Sequence, residues 1–244
     1  MQSCLQVVEG VYRIRGSRSN IYLVDDSGPV LIDTGMPGDE MVILQALHDL
    51  GYQSRDLRAI YITHAHLDHV GSLAAVKAET GASVVASMLE KEHIEGRRML
   101  CSMPREGLGG NVFRGILFLM EKFIQKYAPV HLDSPYSGEG CVVQQGCLEI
   151  ISTPGHSPGS LSFYFPKKKA VFTGDAVTGM PAPGLPMRAG CSDYGQALLS
   201  VRRLAELEVD ACLFGHGDPV ISNAAPILNR LAEQSLLTGK QRIP

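Results

Sequence analysis

The chain has 244 residues, 45% of them hydrophobic, and a formal net charge of −3. That length and apolar content suit a single globular domain over residues 1–244. The slight acidity gives no basic footprint for nucleic acid, and no apolar run is long enough to span a bilayer.

Met1 to Gly10 has neither a basic n-region nor an apolar h-region, so the expected setting is that of a soluble cytoplasmic protein with no secretory signal. From Val7 to Asp33 the pattern is short and strand-like: Val11–Ile14, Ile21–Val24 and Val30–Ile32, with Asp25-Asp26-Ser27-Gly28 as the intervening turn. Met41, Ile43, Leu44, Leu47 and Leu50 recur at helical spacing between Gly38 and Leu50, and Gly51 ends that helix. Ala59–Ile62 reads as a strand, Gly71–Glu79 as a helix and Ser83–Ala86 as another strand. This rhythm, resumed from Ser192 onward with hairpins between, predicts mixed sheets covered by helices.

Between about 88 and 129 the rhythm fails, and the stretch reads as a helical insertion. Phe113, Ile116, Leu117, Met120, Phe123, Ile124 and Tyr127 recur at helical spacing, and Phe118 with Leu119 widens the apolar face beyond what one surface helix needs. Two readings stand: a helix packed on its own domain or across a homodimer, and a lid walling an apolar substrate pocket. A second irregular stretch, Thr178–Arg188, is stiffened by prolines and reads as a pocket rim or a plain surface loop. Ser192 or Asp193 then caps a helix carrying Leu198, Leu199, Val201, Arg202, Leu204 and Leu207, from which Tyr194 could reach a site. The six cysteines form no Cys-x-x-Cys pair and read as reduced thiols; Cys141 and Cys147 flank a turn, and Cys212 lies inside an apolar strand where burial is its role.

The chemistry concentrates in Thr63-His64-Ala65-His66-Leu67-Asp68-His69. Three charged imidazoles so close together would repel, whereas neutral ones beside a carboxylate make a donor set for a divalent cation. His64 and His66 are two apart and converge on one ion only from an extended loop, while Asp68 and His69 at the turn into the helix could serve a second. Further donors follow apolar runs: Asp33 after Val30–Ile32, His156 after Leu148–Ser152, Asp175 after Ala170–Thr173 and His216 after Ala211–Phe214. Each is a strand, a glycine-marked loop and one ligand-capable residue, and strand-end loops on a rigid sheet are where sites are built.

This set resembles the metallo-β-lactamase superfamily. The His-x-His-x-Asp-His signature is matched by His64, His66, Asp68 and His69, with His156, Asp175 and His216 following in family order. The resemblance runs from the Asp33-Thr34-Gly35 turn to His216 and implies an α/β fold, an αββα sandwich of two mixed sheets flanked by helices with metals at one edge. It implies that His64, His66 and His156 hold one ion and that Asp68, His69 and His216 hold a second, with Asp175 bridging. It implies hydrolysis by a metal-bound hydroxide: a cation brings the pKa of bound water from 15.7 to about 7, so no Ser or Cys nucleophile is required. Asp68 could pass a proton to the leaving group, and Asp33 looks set to orient a ligand. Zinc suits these donors best, with manganese, iron or cobalt also accepted.

The expected substrate is a small acyl molecule, an ester, thioester or lactone, apolar if the insertion walls its pocket. The alternatives are β-lactam hydrolysis, phosphodiester hydrolysis, a mono-iron persulfide dioxygenase that needs only the first histidine set, and a scaffold that has lost catalysis. Glyoxalase-II-like thioesterases usually carry a C-terminal glutathione-binding helical domain, whereas this chain ends soon after His216; lactonases of acyl-homoserine type fit its length and lid better.

Overall fold

A run of β-prone residues broken by turn formers folds back on itself at the start of the chain. A computed structural model of the chain describes residues 3–98, 112, 115, 128–137 and 148–240. These fall into two compact units, 3–98 with 128–137, and 112 and 115 with 148–240. The helix expected within the insertion lies, but for Val112 and Gly115, outside the described residues, as do Cys101, Cys141 and Cys147.

The first unit is a seven-stranded mixed sheet in the order β1 to β7. Its strands are β1 (Cys4–Val8), β2 (Val11–Arg15), β3 (Asn20–Asp25), β4 (Pro29–Ile32), β5 (Ala59–Tyr61), β6 (Ser83–Ser87) and β7 (Ser134–Tyr136). The first four pair antiparallel, and β4, β5, β6 and β7 pair parallel. The β3–β4 hairpin turns on Ser27 at φ 60° and Gly28 at φ 120°, the second a conformation that Gly adopts without strain. Helix α1 (Glu40–Asp49) turns Ile43, Ala46 and Leu47 inward, where Ile14, Leu23, Leu31, Ile60 and Val84 are also buried.

The helix expected over Gly71–Glu79 is instead two, α2 (Leu67–Val70) and α3 (Leu73–Thr80). The break has a tertiary cause. Gly71 N–H donates to the Gly35 carbonyl at 2.8 Å, a Cβ on Gly71 would overlap Pro37, and the Ser72 hydroxyl donates to the Met36 carbonyl at 2.6 Å. The chain bends so that its backbone can meet the turn after β4. Beyond β6 come a 3-10 turn at Met88–Glu90, capped by Ser87, and a short α4 (Lys91–Ile94).

The second unit is a four-stranded mixed sheet, β11-β10-β9-β8, of β8 (Glu149–Ser152), β9 (Leu161–Phe165), β10 (Ala170–Gly174) and β11 (Ala211–Phe214). Only β10 and β11 are parallel in it. Two helices cross beside it, α5 (Tyr194–Ala205) and α6 (Ala224–Lys240). Asp193 caps α5, accepting from Gln196 N–H at 2.9 Å. That helix ends at Ala205, so Leu207 lies beyond it, packed on the core of Val171, Val177, Val201, Leu204, Phe214, Leu228 and Leu231. Cys212 is fully buried there, and burial pushes its thiol pKa far up. No described helix is long and apolar enough to cross a membrane.

Candidate metal centre

Strands β4 and β5 run parallel, so their C-terminal ends lie side by side and deliver Asp33 and Thr63 to the same edge, the end at which open α/β sheets build their sites. Asp33 sits at φ 60°, a left-handed conformation that Asp tolerates better than most residues. Its Oδ1 accepts from Thr63 N–H at 2.8 Å. Its Oδ2 accepts from the Thr63 hydroxyl at 2.8 Å and from His69 Nδ1–H at 2.8 Å. Asp33, Thr63, His64 and His69 are all buried. Thr34 holds the same helical turn from the other side, its N–H and hydroxyl both donating to the His69 carbonyl, at 2.8 and 2.9 Å. Ser19 donates its hydroxyl to the Asp68 carbonyl.

His66 is extended, at φ −84° and ψ 152°. His64 and His66 therefore project from an extended loop rather than a helix, their rings 4.5 Å apart between centroids, and the His64 and His69 rings are 4.0 Å apart. Charged rings this close would repel strongly. Ligand atoms of His64 and His66, of His64 and His69, and of Asp68 and His69 lie within 4.8 Å of one another. Between the two histidines, Ala65 N–H donates to the buried Glu90 carboxylate at 3.2 Å.

The tautomers test whether a cation fits here. His69 gives its Nδ1 proton to Asp33. The Thr63 hydroxyl, having given its own proton to Asp33, is an acceptor toward His64 Nδ1, 3.0 Å away. Both rings thus carry hydrogen on Nδ1 and a lone pair on Nε2, the form in which imidazole binds a metal. Nε2 of each is shielded from solvent. These are nitrogen and carboxylate donors without a thiolate, a set suited to zinc and open to other first-row divalent metals.

In the second unit, three strand-end loops do the same work. Asp175 follows β10, and its Oδ2 lies 3.4 Å from His156 Nε2 and 3.6 Å from His216 Nε2, placing one carboxylate between two imidazoles. The His156 loop is fastened to the start of α5: the Gly155 carbonyl accepts from Ser192 N–H at 2.8 Å and from Asp193 N–H at 3.0 Å. Gly155 has φ +130°, and a Cβ there would overlap the backbone of Ala197. The His216 loop is fastened to the 178–188 stretch. Gly179 N–H donates to the His216 carbonyl at 2.9 Å, and Gly217, at φ +88°, lies so close to Gly179 that a Cβ would overlap it. That stretch shows no periodicity in the sequence, and Thr178 and Gly184 form an antiparallel bridge across it. Tyr194, half-buried, lies under the Arg188 guanidinium carbon, 5.5 Å from its ring centroid. Thr63 and Glu90 carry no signal of their own in the sequence; only the fold brings them to the histidine loop.

A model of the metallo-β-lactamase superfamily matches residues 14–216. The chain belongs to that superfamily and is a hydrolase of it. It is similar to the probable metallo-hydrolase YflN of Bacillus subtilis strain 168, 25% identical over 93% of each chain. It is also similar to the uncharacterized protein YobT of the same strain, 31% identical over 81% of this chain and 82% of that one. A hydroxyacylglutathione hydrolase of Brucella ovis is 31% identical over 66% of this chain, a match spanning 49% of that protein. Among solved structures, a metallo-β-lactamase mutant from Cronobacter sakazakii shares the fold at TM-score 0.71 and 23% identity, covering 98% of this chain and 96% of that one. BJP-1, a subclass B3 metallo-β-lactamase of Bradyrhizobium japonicum, shares it at TM-score 0.68 and 22% identity, covering 98% and 94%.

Proposed function

We propose that the protein is a dinuclear metal-dependent acyl hydrolase that opens an ester, thioester or lactone. The observation that carries this reading is the preparation of the ligands: two imidazoles of one edge held through Nδ1, and a carboxylate set between two imidazoles of the other. In this reading His64, His66 and His156 would hold one ion, and Asp68, His69 and His216 would hold a second, with Asp175 a ligand as well. The ions, probed first as zinc, would lower the pKa of a water to about 7 and polarise the acyl oxygen. The chain's own residues do the rest. Asp68 takes a proton and returns it to the leaving group. Asp33 and Thr63 hold the ring orientations. Tyr194 steadies the substrate from the start of α5. The likeness to a hydroxyacylglutathione hydrolase supports a thioester among the substrates.

The test is turnover of a mixed panel by metal-quantified protein: long-chain and short-chain homoserine lactones, a glutathione thioester, an aryl ester, a cephalosporin and a phosphodiester. Preference for a lactone, ester or thioester, abolished by a chelator and restored by zinc, supports the proposal. Turnover of only the phosphodiester or only the cephalosporin overturns it. A blank panel from protein that oxidises a persulfide when loaded with iron does so as well.

A further inference from the structure

Four buried groups form one continuous chain of hydrogen bonds: His64 Nδ1–H to Thr63 Oγ1 at 3.0 Å, Thr63 O–H to Asp33 Oδ2 at 2.8 Å, and His69 Nδ1–H to that same oxygen at 2.8 Å. A hydroxyl has one proton to give. Thr63 is therefore an acceptor toward His64 because it is a donor toward Asp33, and the tautomer of His64 is decided by a carboxylate two bonds away. Thr63 Oγ1 also lies 3.5 Å from His69 Nδ1, which places the hydroxyl at the crossing of the two arms. The Thr63 N–H to Asp33 Oδ1 bond, at 2.8 Å, pins the backbone beneath it.

We infer that Thr63 is a positioning residue that carries the orienting influence of Asp33 to His64, so that one carboxylate sets a ligand of each ion. This rests on the two-ion reading above, which assigns His64 and His69 to different ions. The two arms are unequal. His69 bonds Asp33 directly, whereas His64 reaches it through the hydroxyl. Thr63→Val keeps the shape and removes the acceptor, leaving His64 Nδ1–H facing a methyl group while the Asp33 to His69 bond remains. Thr63→Ser keeps the acceptor.

The probe is cobalt(II), titrated into metal-free protein, with its visible absorption and chelator competition as readouts and melting of the metal-free protein as control. In Thr63→Val one of the two cobalt equivalents weakens about 10- to 100-fold, the range for loss of a group that orients a ligand. The other equivalent keeps its affinity, and Thr63→Ser restores the weakened one. Unchanged affinities in Thr63→Val overturn the inference. So does equal weakening of both equivalents, a fall in melting temperature with no change in affinity, or a serine variant that rescues nothing. A wild-type protein that takes up no cobalt removes the two-ion reading itself and this inference with it, an outcome distinct from failure of the variant. Should the valine variant not fold, histidine nitrogen NMR of the wild type decides. Hydrogen on Nδ1 of both His64 and His69 supports the inference, and hydrogen on Nε2 of His64 overturns it.

Discussion

Replacing Asp33 by Asn isolates the carboxylate from the backbone it stands on. Asn tolerates the φ of 60° as well as Asp does, so no conformational strain is added. Asp33 accepts three hydrogen bonds, all at 2.8 Å, one on Oδ1 and two on Oδ2. An amide offers one oxygen. If that oxygen takes the place of Oδ2, the new NH2 faces the Thr63 N–H, donor against donor, and both groups are stranded, at about 1–3 kcal/mol each. The opposite orientation sets the NH2 against two donors and is worse. The two bonds that survive pass from charged to neutral acceptors and lose roughly 1 kcal/mol each. The sum is a destabilisation of about 4–8 kcal/mol in metal-free protein, together with a loss of metal affinity of about 10- to 100-fold. Urea unfolding in the presence of a chelator reads the first quantity, and chelator competition reads the second. An Asp33→Asn protein within about 0.5 kcal/mol of wild type, with unaltered metal affinity, would refute the reasoning that this carboxylate organises the histidine loop.

His66→Ala should bind less metal per chain and lose hydrolytic activity, measured by metal analysis beside the substrate panel; a variant with full metal content removes His66 from the ligand set. Gly217→Ala should destabilise by about 2 kcal/mol or more, since φ +88° alone costs an L-residue about 1–2 kcal/mol and the Cβ would also overlap Gly179. Thermal melting checks it, and an unchanged midpoint would show that the two loops separate freely. Cys212 is held neutral by burial, its pKa raised, so it should resist iodoacetamide in native protein at pH 8 and react once urea is added. Labelling of native Cys212, read by peptide mass spectrometry, would contradict that burial.

The parts legible in the sequence are those in which one residue's chemistry or one local period suffices. Strands such as Val11–Ile14 and Ala170–Thr173 announce themselves as apolar runs, and the helix at 194 by its Asp193 cap. The histidine loop is legible because three imidazoles and a carboxylate within six positions have few other uses. Long-range backbone contacts leave no such mark. The split of one expected helix at Gly71 follows from the Gly35 carbonyl, thirty-six positions earlier, and the bridge between Thr178 and Gly184 from a loop closing on itself. Edge strand β7 is three residues containing a proline, too short for any period to show. Thr63 looks like an ordinary strand-end residue until Asp33 is seen beneath it.

The contact between Gly179 and Gly217 bears on how the enzyme could be re-engineered. The backbone that bends through 178–188 is bonded to the carbonyl of His216 itself, so that stretch and the histidine share one mechanical joint. Libraries that randomise 178–188 in search of new selectivity will therefore return two populations. Changes at the outward positions Met180 and Met187, both largely exposed, can vary without disturbing the joint. Changes that shift Gly179 will surface as proteins with poorer metal retention rather than altered preference. Screening such a library in excess zinc and again under a chelator would sort one population from the other before any substrate is compared.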